Sequence, residues 1–108
     1  MTSFRFTIST DNTVISGFKF MDAIQNTVQA TGSTGRNGIS FVNNYVLTNA
    51  AGFSGHILNL VGGSSLWHRN VLIEGCRFEH YATSKWTLWG TSIDGLIVRG
   101  NWASGPTM

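Results

Sequence analysis

Charged side chains make up only 11% of this 108-residue chain, well under the usual quarter. With 42% apolar residues, that scarcity does not indicate disorder, because enough apolar surface is present to fill a core. The five acids, Asp11, Asp22, Glu74, Glu79 and Asp94, are scattered, which excludes the clustered carboxylates of a calcium site. The seven basic residues form no run, so no nucleic-acid partner is expected. Cys76 is the only cysteine. An internal disulfide is therefore excluded, and the residue reads as a small buried filler. His56, His68 and His80 stand 12 residues apart, with no His-x-x-x-His or Cys-x-x-Cys spacing, so neither a metal nor another cofactor is expected. No apolar run is long enough to span a membrane, and no membrane partner is expected. The first residues lack the layout of a signal peptide. Proline occurs once and glycine 13 times. What remains is a neutral-polar, turn-rich composition suited to strands, at a length that allows one domain, residues 1–108.

Against this background a nine-residue phrase recurs four times: Thr13–Met21, Ile39–Leu47, Val71–Glu79 and Leu96–Ser104. The first and third places are apolar in nearly every copy. The fifth is Gly17, Asn43, Gly75 or Gly100, and the eighth is Phe20, Val46, Phe78 or Ala103. Copies begin 26, 32 and 25 residues apart. Alternation with period two is the mark of a half-buried strand. It predicts places one, three and eight inward, and two, four and seven outward. The fifth place requires a backbone bend, which Gly and Asn tolerate best. The sixth place holds Phe18, Asn44, Cys76 and Asn101, where an inward Asn can bond to backbone groups at the bend. Second strands are expected within Phe4–Ser9, Ala23–Ala30, His56–Val61 and Lys85–Trp89. The longer spacing implies an insertion between Thr48 and Arg69. A repeat near this period points to an all-β chain, a β-solenoid of about four coils. An antiparallel sandwich is the rival, and it leaves the repetition of related phrases unexplained.

Asn12–Phe20 and Asn70–Phe78 resemble the coils of right-handed parallel β-helix proteins, the pectate-lyase-like superfamily that includes polysaccharide lyases, glycoside hydrolases and phage tailspikes. The resemblance runs from about Phe4 to Ala103. It implies the fold, a right-handed parallel β-helix, and an extracellular or virion setting. It implies no particular activity, because coil repeats are scaffold. Chains of that superfamily resemble much longer stacks with capping helices, so either a longer solenoid or partner chains are expected to cover the ends.

Residues that carry chemistry are few. Glu74 and Arg99 take the same outward place in adjacent copies and are expected to form a surface ion pair. With Arg77 they are the only catalytic candidates, and the expectation is that none is catalytic. A lyase requires a base and a cation, and no spacing singles out Glu79, His80, Lys85, His68 or Arg69 for these roles. Trp67, His68, Tyr81, Trp86 and Trp89 gather around the third coil and are candidates for carbohydrate or partner contact, since flat rings stack on sugars and dominate interfaces. The outward places two and seven carry Val14, Leu72 and Ile97, and Tyr45 and Trp102. A solvated face does not need these residues, so they are expected to form a subunit interface in a homo-oligomer or other assembly. Three functions follow: a non-catalytic structural or adhesive module of an assembly such as a phage tail component or extracellular filament; a fragment of a polysaccharide lyase or hydrolase; or a carbohydrate-binding module.

Overall fold

The computed structural model describes residues 5–23, 25–30, 35–48, 56–62, 67–80 and 87–105. Among them every regular element is a strand. The chain makes four similar passes of three strands: β1 (Phe6–Thr7), β2 (Thr13–Ser16) and β3 (Lys19–Ala23); β4 (Val28–Ala30), β5 (Asn37–Val42) and β6 (Tyr45–Thr48); β7 (Leu58–Val61), β8 (His68–Glu74) and β9 (Arg77–Glu79); β10 (Leu88–Thr91), β11 (Ile93–Arg99) and β12 (Trp102–Ser104). Each strand pairs with the third one after it, always in parallel, giving three four-stranded sheets in the orders β1-β4-β7-β10, β2-β5-β8-β11 and β3-β6-β9-β12. The antiparallel sandwich is thereby removed, and the stacking is compatible with the expected solenoid. Second strands lie within three of the four predicted windows, and β10 runs two residues beyond the fourth.

Each nine-residue phrase is two strands in different sheets, divided at the fifth place. Gly17, Asn43, Gly75 and Gly100 all have φ between 54° and 78°, the left-handed region in which only Gly and Asn sit at low cost. A second left-handed column precedes each phrase: Asn12, Gly38, Asn70 and Gly95, with φ of 55°, 87°, 55° and 81°. The fifth-place bend turns the chain from the second sheet to the third, whereas the second column lies just before β2 and inside β5, β8 and β11, where it bends the strand within its sheet. Stacking is close there: a Cβ on Gly75 would lie 2.5 Å from Asn43 Oδ1.

The core lies between the sheets. Ile15, Phe20, Ile39, Phe41, Val46, Val71, Ile73 and Phe78, all at predicted inward places, are buried. Each of the first three passes places one Phe across places three and eight: Ile15 with Phe20, Phe41 with Val46, Ile73 with Phe78. The large ring thus alternates sides, and the rings stack in series, Phe20 to Phe41 at 6.1 Å and Phe41 to Phe78 at 6.2 Å. Alternating large and small partners keeps every layer filled. The fourth pass breaks the rule with Val98 and Ala103. A hollow of about 170 Å³ opens there, lined by Leu58, Ile73, Phe78, Leu88, Val98 and Ala103 among others. Its inward places are exposed, Val98 at 54%, because among the described residues no further strand stacks on β10, β11 or β12.

Candidate functional site

The outward residues fall on separate faces. Val14, Ser40, Leu72 and Ile97 are successive register partners on the outer face of β2-β5-β8-β11. Lys19, Tyr45, Arg77 and Trp102 are register partners on β3-β6-β9-β12. The bend at the fifth place separates them, so Val14, Tyr45, Leu72, Ile97 and Trp102, expected to form one interface, lie as two stripes on two different sheets.

On the first face, Arg69 pairs with Asp94 at 2.9 Å and Glu74 pairs with Arg99. Both pairs are cross-strand neighbours in register. They flank Leu72 and Ile97, and a shallow depression of about 300 Å³ lies over Leu72, Leu96, Ile97 and Arg99.

On the second face, the Arg77 guanidinium carbon sits 4.5 Å from the centre of the Trp102 ring and 5.4 Å from that of Tyr45. One pass separates each ring from Arg77, so the side chain is held between two aromatic faces, a geometry that favours a cation. Arg77 also pairs with Glu79 at 2.9 Å, and the Tyr45 hydroxyl donates to Glu79 Oε2 at 2.6 Å. The Tyr45 hydrogen bond, followed by Arg77, holds the Glu79 carboxyl below its ordinary value of 4.5. A carboxylate with a depressed pKa adds stability that is complete above its unfolded-state value and is lost as pH falls through the folded one. Tyr45→Phe is therefore expected to lower the midpoint of thermal unfolding at pH 7 and to matter less at pH 3. Melting curves at the two pH values check this, and an equal penalty at both would exclude the carboxylate as the partner that matters.

Two of the carboxylate separations lie outside the range for glycoside hydrolysis. Glycoside hydrolysis needs carboxyls about 5–9.5 Å apart across the sugar. Glu74 and Asp94 stand at opposite ends of adjacent strands, five residues apart in register, or about 16 Å at 3.3 Å per residue. Asp11 lies three passes from Asp94, about 14 Å at one strand spacing per pass, and accepts the Asn37 N–H at 3.0 Å. Glu74 and Glu79 point outward from different sheets, each paired with an arginine. Among the described residues no group of histidine, cysteine and carboxylates could hold a metal.

The aromatic cluster is only partly assembled. Trp67 and Trp89 are exposed, and Trp89 stacks on His56 with ring centres 5.1 Å apart. Tyr81 and Trp86, like Lys85, lie outside the described residues. His68 is corrected: it is 1% exposed and cannot meet a sugar or partner. Its ring is spent on backbone, with Nδ1 accepting from the Arg36 N–H at 3.0 Å and Nε2 bonded to the Ala30 carbonyl at 2.9 Å. His80 is also fully buried. Neither histidine can serve as a base on an external substrate.

No protein-family model, curated protein or solved structure matches this chain. The resemblance to the pectate-lyase-like superfamily therefore has no relative behind it, and only the all-strand, parallel architecture is common ground.

Proposed function

We propose that the chain is a right-handed parallel β-solenoid acting as a non-catalytic structural or adhesive subunit of a larger assembly, in a virion or outside the cell. The regular pairing of each strand with the third one after it supports the winding. One observation carries the function: one outer face presents an apolar column interrupted only by Ser40, and a second alternates cations with exposed aromatic rings. Val14 is 66% exposed, Ile97 49% and Trp102 50%. Apolar surface arranged in columns marks contact with another surface. The carboxylates support the same reading, since those described are engaged in ion pairs or a backbone bond, and Glu74–Asp94 and Asp11–Asp94 lie too far apart for sugar hydrolysis.

A carbohydrate-binding role is the second reading, favoured by the half-exposed Trp102 ring lying against Arg77. An aromatic face beside a fixed cation suits an acidic sugar. Light scattering across a concentration series, run with an acidic-polysaccharide cleavage assay, tests the proposal. Self-association without turnover is the expected result. A monomer at every concentration, or release of sugar products, overturns it.

A further inference from the structure

The outer face of β2-β5-β8-β11 carries charges in a pattern that fits its own copy. On β8, Arg69 stands near one end, before the bend at Asn70, Leu72 follows three residues on, and Glu74 is at the other end. On β11, directly beside it, Asp94, Ile97 and Arg99 occupy the same three places. The signs alternate along each strand and between the strands, so Leu72 and Ile97 sit at the centre of a neutral checkerboard. All four charged side chains are solvent-accessible, at 39–64%.

Such a checkerboard is self-complementary. A two-fold axis parallel to the stacking direction places Arg69 opposite the second copy's Glu74, and Asp94 opposite its Arg99. The same operation sets Val14, Ser40, Leu72 and Ile97, each about half a residue from the axis, beside its own equivalent, one long seam with opposite charges on both sides. A two-fold axis along the strands also matches the charges, but there only β8 and β11 overlap, and β2 and β5 project past the end of the partner. The stacking axis keeps all four passes in contact. Resting on the assembly reading above, we infer that this face is the interface of a parallel, side-by-side homodimer with its two-fold axis along the stack.

The size of the face sets the strength of the contact. Four strands at about 4.8 Å and seven residues at about 3.3 Å span roughly 19 by 23 Å, about 400 Å² per copy, where a standard stable interface buries about 800 Å² per partner. The dimer is therefore weak and reversible. An isologous contact also closes at two copies, so association saturates at the dimer unless a different surface adds to it.

Because Ile97 lies about half a residue from the axis, beside its own equivalent, one substitution brings like charges together across the seam. Sedimentation of the full chain up to millimolar concentration is the test, with circular dichroism confirming the fold of each variant. Ile97→Lys and Ile97→Glu are each expected to weaken self-association by at least about tenfold, since facing like charges strongly oppose docking. An equimolar mixture of the two is expected to associate at least as well as the wild type, through Lys opposite Glu. Val14→Lys with Val14→Glu repeats the test at the other end of the seam and replaces it if the Ile97 variants fail to fold. If the wild type associates and the single variants do so equally well, or the mixture recovers nothing, the seam is overturned while the assembly reading stands. A wild type that stays monomeric throughout overturns both.

Discussion

Replacing His68 with alanine is expected to remove about 3–5 kcal/mol of folding stability, most of what a domain of this size has. The cost has two sources. The first is the imidazole volume, since the ring is 1% exposed and alanine leaves a void that the stacked strands cannot close. The second is the pair of backbone groups left behind. Arg36 N is a donor, so Nδ1 must be the accepting nitrogen and Nε2 carries the proton given to the Ala30 carbonyl. Loss of the ring strands one N–H and one C=O, each at about 1–3 kcal/mol. His68 thus takes the place of a strand partner between the end of β4 and the entry to β5. The adjacent Trp67→Ala is the control. Its side chain is half-exposed, and a loss of under about 1 kcal/mol is expected of such a surface position. Urea titration of both variants checks the pair. Equal losses would show that burial at His68 contributes nothing special.

The contrast between Trp67 and His68 marks where reading the chain by its sequence reached its limit. The phrase, its inward places and the bend at the fifth place were legible because period-two alternation and Gly or Asn leave local marks. The second bend carries the same local mark, as Asn12, Gly38, Asn70 and Gly95 immediately precede each copy, one residue outside the nine-residue phrase. His68 had no such mark. Its inward orientation follows from its register with Ile93 on the next pass and from carbonyl and amide groups more than 30 residues away, and long-range pairing of this kind leaves no periodic trace. The two outward stripes are indistinguishable in the sequence for a related reason. Alternation alone places residues two and seven outward, and only the turn between them shows that outward means two different faces.

The largest stabilising effect is expected at Cys76, and the argument starts from Asn44. Asn44 is buried at the sixth place of the second pass and serves the pass before its own: Oδ1 accepts the Phe18 N–H at 2.8 Å and Nδ2 donates to the Ile15 carbonyl at 2.8 Å. Asn101 does the same for the third pass, accepting from the Cys76 N–H at 2.8 Å and donating to the Ile73 carbonyl at 3.0 Å. Each asparagine closes the bend beneath it. The second pass is closed by Cys76 instead. Its sulfur lies 3.4 Å from the Phe41 carbonyl, the group equivalent to Ile15 O and Ile73 O. Burial raises the thiol above its ordinary pKa, opposed in part by the Asn44 N–H aimed at the sulfur, so the thiol keeps its proton and can donate weakly. Asn44→Ala is expected to cost about 2–4 kcal/mol, because two buried backbone groups lose their partner. Cys76→Asn is expected to add about 1 kcal/mol by exchanging weak sulfur contacts for two amide hydrogen bonds, a rise of roughly 4–8 °C in melting temperature for a domain near this size. Thermal unfolding of the two variants beside the wild type separates hydrogen bonding from packing. If Cys76→Asn melts lower, the space between Asn44 and Asn101 is shaped for sulfur. If it melts higher, the asparagine ladder is the element that holds successive bends together, and the single cysteine is the weak rung in it.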